Sequence, residues 1–252
     1  MPVINTNVAA IKARGNFARV QRDMDTAIAR LSSGKRINTA ADDAAGQAIA
    51  GRMESQIRGL NMNIRNAKDG QSLVDTMEGA LQEVSGILQR MRELAVQASS
   101  GIATAADRGY LNTEVQALIT EIEAISVNTT FNEKSILSDV GFSFYTDINI
   151  TGTQISTTVA NMSVSVLNIT AAEVVIGTTA AAAIVAIDNA LSAVDDKRTH
   201  MGAISNRFDH VIDNLTNVIA NTSAAQSRVQ DADYAVETTA LTRATILQQA
   251  AT

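Results

Sequence analysis

LSSGKRINTAADDAAGQAIAGR, residues 31–52, joins an Asn38-Thr39 turn to an alanine-rich helical run through an acidic pair, Asp42-Asp43. Carboxylates in a first turn complement the helix dipole, so the pair reads as capping rather than acid–base or metal chemistry. A second distinctive run, DADYAVETTALTRATILQQA, occupies residues 231–250 near the other end. Between the two lie long heptad-patterned segments without a proline, since the single proline is Pro2. Two sequence-distant ends of matching character predict one rod whose ends fold together. That favours assembly over catalysis.

The heptads carry the organisation. Ala10, Ala13, Phe17, Val20, Met24, Ala27 and Leu31 keep unbroken 3-4 spacing. A longer seam runs Ala67, Gly70, Val74, Met77, Leu81, Val84, Leu88, Met91, Ala95, Ala98, and only Gly70 lacks an apolar side chain. Leu111, Val115, Leu118, Ile122 and Ile125 form a short third seam. The fourth is Ile184, Ile187, Leu191, Val194, Arg198, Met201, Ser205, Phe208, Ile212, Leu215, Ile219, with two polar positions. At about 1.5 Å per residue, residues 67–98 span roughly 48 Å, and a helix so narrow must pack its stripe on other helices or on neighbouring subunits. Ser99-Ser100-Gly101 ends one helix, and Thr104 with Asp107 restarts the next in a capping-box pattern.

Composition agrees. Apolar residues make up 46% of the 252 residues, yet aromatics only 3%, so the apolar content suits helix–helix seams better than a thick core. Residues 138–178 depart from the heptads. Phe142/Phe144, Ile148/Ile150 and Met162/Val164/Val166 alternate with polar residues, the period-2 pattern of half-buried strands, and Gly141, Gly152 and Gly177 mark turns. This reads as a small β-hairpin module inserted into the rod, after which Ala180–Ala183 reopens a helix. The expected fold is mainly α: an elongated coiled-coil rod with paired N- and C-terminal helices and a small β insert.

Chemistry is sparse. The chain has no cysteine, which excludes disulfides, thiol catalysis and Cys-based metal sites. His200 and His210 lie about 80° apart around a helix and about 15 Å apart along it, too far to share a metal. Ser33-Gly34-Lys35 lacks the first glycine of a phosphate loop, and Asp195-Asp196 reads as a solvated face. No enzyme, cofactor or metal is expected. The net charge of −6 argues against nucleic acid as partner. Residues 1–36 are nonetheless basic, with Lys12, Arg14, Arg19, Arg22, Arg30, Lys35 and Arg36 against Asp23 and Asp25. With Phe17 their only aromatic, they read as a solvated or intersubunit face. No apolar run is long enough to span a membrane, and the first 20 residues do not read as a cleavable signal peptide.

Five runs together resemble bacterial flagellin: VINTNVAA (3–10), residues 31–52, QRMRELAVQAS (89–99), TFNEKSIL (130–137) and residues 231–250. The resemblance covers about residues 1–137 and 180–252. It implies a subunit that polymerises into the flagellar filament for swimming, with a hook–filament junction protein or a coiled-coil adhesin as the alternatives. It further implies an inner filament-core domain of 1–33 with 226–252, a rod domain of 34–137 with 180–225, and a small β module at 138–179. Phe17, Val20, Met24 and Leu31, with Val236 and Leu247, are the implied core-packing residues.

The implied partners are other copies of the chain, an export chaperone, and cap and junction proteins. An innate immune receptor joins them through Gln89, Arg90, Leu94 and Glu114, a surface whose primary role is expected to be axial subunit packing. In the heptad reading Met91 is buried, while Arg90 and Leu94 face solvent or a neighbour. The implied location is extracellular, in the filament, reached by type III export without a cleaved signal. Flagellins usually continue beyond the residues matching Gln248–Ala251, and the resemblance associates the channel lining and the chaperone site with that tail. A short terminal helix with a complete apolar seam is marginal by itself, so folding of the ends is expected to be coupled to assembly.

Overall fold

The computed structural model describes residues 7–138, 141–145, 154–158, 162–169 and 180–251. The described helices are α1 (Val8–Ser33), α2 (Ala44–Ala98), α3 (Ala105–Asn128), α4 (Ala180–Gln230) and α5 (Tyr234–Ala251). The described strands form two antiparallel pairs: β1 (Thr130–Phe131) with β2 (Lys134–Ser135), and β3 (Gly141–Tyr145) with β4 (Gln154–Thr158). The chain divides into two compact units, residues 1–59 with 217–252 and residues 60–216.

In the terminal unit, α1 begins at Asn7, whose side-chain carbonyl accepts from the Ala10 amide, and ends at Gly34. Gly34 has φ of 70°, the left-handed conformation that glycine adopts without strain, and its amide closes on the Arg30 carbonyl. The loop that follows is organised by its two aspartates. Asp42 accepts from the amides of Asn38 and Thr39 and from the Thr39 hydroxyl. Asp43 accepts the Gly46 amide at 2.9 Å and caps α2. A Cβ on Gly46 would lie 2.5 Å from the Asp43 carboxylate and 2.6 Å from buried Ile37, so this packed cap has no room for one. The loop pairs with the α4–α5 junction. Lys35 bridges Asp231, the Arg36 amide donates to the Gln230 carbonyl at 2.7 Å, and the Ala232 amide donates to the Gly34 carbonyl at 3.0 Å. The two distinctive sequence runs therefore meet through backbone hydrogen bonds.

In the second unit, every position of the 67–98 seam is buried, Gly70 included. Gly70 has a packing reason: its missing Cβ would stand 2.6 Å from the Phe208 ring, which itself meets Phe144 of β3 edge-on at 5.6 Å between centroids. Val115 and Ile122 of α3, with Ile136 and Leu137, join the same core.

The α4 register is a correction. The structure buries Ala183, Ile187, Ala190, Val194, Met201, Ile204, Phe208 and Leu215, so alternate seam positions sit one residue earlier than the sequence reading placed them. Arg198 and Ser205 move from the seam to its flank. The Arg198 guanidinium then reaches Glu78 at 2.9 Å, where a central seam position would have left the charge buried.

The β expectation holds for Phe142 and Phe144, which alternate half-buried with exposed neighbours along β3. It fails for Met162–Val166, which forms turns. The amides of Val166 and Leu167 both close on the Ser163 carbonyl, and burial falls on Met162, Leu167 and Ile169, a spacing no strand provides. Ile148 and Ile150 lie outside the described residues.

Candidate assembly surfaces

The terminal unit packs α1 along α5. Ala27 of α1 and Ala244 of α5 are buried, and small side chains suit close helix approach. Polar contacts set the register. Arg30 pairs with Glu237 at 3.1 Å, with Glu237 almost fully buried. The Tyr234 hydroxyl donates to the Leu31 carbonyl at 3.0 Å, and the Gln248 amide donates to Gln21 at 2.9 Å. None of these pairings was visible in the sequence, where Arg30 counted only as one of several basic residues.

This pairing leaves apolar surface uncovered. Phe17, Val20, Met24 and Leu31 are half-buried. Val236 is 60% exposed and Leu247 48%, and Val8, Ile11, Ile28, Tyr234 and Ile246 are exposed as well. On α5, a shallow groove of ≈ 490 Å³ is lined by Thr238, Thr239, Thr242, Arg243, Ile246 and Leu247. The Thr238, Thr239 and Thr242 hydroxyls are spent on carbonyls of the preceding turn, so this face offers methyl groups more than free hydroxyls.

The second surface lies on α2 and α3. Arg90 is exposed and pairs with Glu114 at 2.8 Å and with Glu93 at 3.0 Å. Those hydrogen bonds, to Glu114 first, hold its guanidinium above the ordinary arginine value, so it stays charged. Arg92 pairs with Asp188 of α4 at 2.6 Å. Gln89 is exposed.

Leu94 is a correction: its side chain is 1% exposed and belongs to the core, not the surface. A single heptad seam assigns one stripe to each helix, but α2 buries Leu94 beside Ala95, and likewise Val84 beside Ser85. A helix enclosed by more than one neighbour buries a wider arc than a two-stranded seam requires. The structure thus brings Arg90 and Glu114 together, leaves Gln89 at the surface and withdraws Leu94.

Among the described residues, no group of three or more His, Cys, Asp and Glu is arranged to hold a metal ion. No described helix is long and apolar enough to cross a membrane. His200 and His210 are both exposed on α4.

Comparisons with known proteins converge. Residues 4–141 match the family model described as the bacterial flagellin N-terminal helical region, and residues 184–252 match that of the C-terminal helical region. A flagellin of Halalkalibacterium halodurans is 43% identical over 251 residues, covering 98% of this chain and 92% of the relative. A flagellin of Bacillus subtilis is 37% identical, covering 98% and 93%. Among solved structures, Bacillus cereus flagellin superposes with a TM-score of 0.54 at 30% identity, covering 64% of this chain and 94% of that one. A Vibrio parahaemolyticus structure described as a flagellar hook-associated protein gives a TM-score of 0.63 at 15% identity, a likeness of fold alone. The matched regions account for both helical ends and for most of the chain's length, and the chain belongs to the bacterial flagellins.

Proposed function

We propose that this chain is a structural subunit of the bacterial flagellar filament, and that its terminal helices complete their cores only against neighbouring copies. The observation that carries the second part is the apolar surface left open on α1 and α5, above all Val236 and Leu247. Several large apolar side chains exposed on one helix pair suit an interaction site. Burying it against other copies in a heterologous, non-closing arrangement generates a helical polymer rather than a ring. In this reading Phe17, Val20, Met24, Leu31, Val236 and Leu247 line the filament core. The proposed role of the segments 1–33 and 226–252 is the inner layer, with the remaining helices forming a rod outside it.

Gln89, Arg90 and Glu114 form a polar surface suited to axial contact between copies, with an innate immune receptor as a second user of the same side chains. Because Arg90 is exposed, Arg90→Ala in the monomer removes charge without opening a core. It is expected to lower receptor signalling, and unchanged potency removes that role. The filament is extracellular, so the chain passes through the export apparatus; chaperone, cap and junction proteins are its proposed accessory partners. The role is structural rather than enzymatic.

The experiment is seeded elongation. Purified chain added to filament fragments is expected to give long uniform filaments by negative-stain microscopy. Amide exchange is expected to show residues 10–31 weakly protected in the monomer and strongly protected in the filament. Chains that remain single at high concentration on seeds, with those residues already protected, overturn the reading.

A further inference from the structure

The turn between α2 and α3 and the start of α3 expose the two most solvent-accessible large apolar side chains among the described residues, Ile102 at 91% and Tyr110 at 77%. They share a notch of ≈ 410 Å³ with Gln97, Ser100, Asp107 and Leu111. This turn is tightly constrained. Thr104 and Asp107 form a reciprocal capping box at the start of α3, and the Arg108 guanidinium donates to the last carbonyl of α2, Ala98, at 3.1 Å. The Ala103 amide closes on the Ser100 carbonyl. Two apolar side chains held outward on a pre-formed turn and the helix it opens present a docking surface with little ordering entropy left to lose.

The notch is also anionic. The Asp107 carboxyl sits below its ordinary value because it accepts the Thr104 hydroxyl and amide, so it remains charged at neutral pH. Arg108, its neighbour in sequence, directs its guanidinium to the Ala98 carbonyl. Residues 60–216 as a whole carry nine Lys/Arg against eighteen Asp/Glu, so the surrounding field favours a cationic partner.

Both the N-terminal half of α1 and residues 238–251 of α5 expose paired apolar side chains without a carboxylate, and α1 carries the more cations, three against one. Residues 8–20 of α1 contain Lys12, Arg14 and Arg19 and no carboxylate. They also expose Val8 and Ile11, the latter at 61%, three residues apart on one helix face. Two exposed apolar side chains beside cations complement two exposed apolar side chains beside an anion. We propose that the Ile102–Tyr110 notch receives the basic N-terminal half of α1 from a neighbouring copy of the chain. The contact is heterologous and so propagates from copy to copy, which rests on the filament reading above.

Two measurements on the full chain test it. Tyr110→p-benzoylphenylalanine, assembled on seeds and irradiated, is expected to cross-link to a peptide within residues 8–20 of a second copy, located by mass spectrometry. Ile102→Lys removes the apolar contact and sets a cation against cations. It is expected to raise the critical concentration for elongation roughly tenfold while leaving the monomer's helicity unchanged. Adding Lys12→Glu and Arg14→Glu to Ile102→Lys is expected to recover part of that loss.

Cross-links that fall elsewhere on the copy, cross-links to a different protein, or Ile102→Lys elongating like the parent each overturn the proposal. A parent chain that never elongates on seeds is a separate result and overturns the filament reading itself.

Discussion

Gly70 and Gly86 lie on the same helix, and their surroundings give them opposite predicted behaviour. An alanine in an exposed helix interior is favoured over glycine by about 1 kcal/mol. Gly86 has nothing within 4 Å of an added Cβ, so Gly86→Ala is expected to raise unfolding stability by about 0.5–1 kcal/mol in a denaturant titration. At Gly70 the same methyl meets the Phe208 ring at 2.6 Å, and overpacking at about 1–3 kcal/mol outweighs the propensity gain. Gly70→Ala is expected to destabilise. The heptad pattern flagged Gly70 as anomalous, but the aromatic pair that explains it comes from far along the chain.

Glu133 is the reverse case. It occupies a left-handed position with φ of 64° at the β1–β2 turn, where glycine is usual, so Glu133→Gly is expected to stabilise by about 1 kcal/mol.

The capping aspartates supply a pH signature. Asp42 is depressed first by the Thr39 amide and then by the Thr39 hydroxyl and the Asn38 amide, while Asp107 is depressed first by the Thr104 hydroxyl. A carboxyl whose folded value is below its unfolded one contributes stability above the ordinary value of 3.8, and that contribution disappears as pH falls through the folded value. Melting temperatures recorded from pH 6 down to pH 2 are expected to fall less steeply for the Asp42→Asn, Asp107→Asn double variant than for the parent.

At the scale of elements, α4 shows how far a periodic pattern reaches. The 3-4 spacing identified the helix and five of its seam residues, Ile187, Val194, Met201, Phe208 and Leu215, all of which are buried. The alternate positions were misplaced because Ile184 and Ala183, or Leu191 and Ala190, satisfy a heptad equally well. Which of each pair turns inward depends on the opposing helix and on where Arg198 finds its carboxylate. The structure makes the choice measurable. Ile204 is buried and Leu191 only half-buried, so Ile204→Ala is expected to cost about 2–4 kcal/mol and Leu191→Ala about half as much. Equal losses would restore the simpler register. The same limit applies to Leu94, which a single seam on α2 placed outside and the enclosed helix places within.

For the whole molecule, the telling contrast is between cores. Residues 60–216 bury a continuous apolar cluster drawn from α2, α3, α4 and the strands, whereas the pairing of α1 with α5 leaves large apolar side chains open. Polar substitution on the open surface should therefore separate folding from assembly. Val236→Asp with Leu247→Asp is expected to leave the monomer's thermal unfolding nearly unchanged, since surface substitutions shift stability by about 0.5 kcal/mol or less. It is expected to abolish seeded elongation by light scattering. A variant that elongates normally removes α5 from the subunit contact.

Much was determined by sequence alone: the helical class, the family through five local runs, the helix restart at Thr104, and the absence of cysteine chemistry. These are properties of neighbours along the chain, and local hydrogen bonding, periodicity and composition are enough to express them. Packing between distant segments sets the Arg30–Glu237 pair, the clasp between Lys35–Arg36 and Gln230–Asp231, the α4 register, the burial of Leu94 and the placing of Phe208 in the Gly70 notch. Each depends on residues from about 100 to 200 positions apart or on how many helices enclose one face. No periodicity within a single helix encodes which distant surface it will meet.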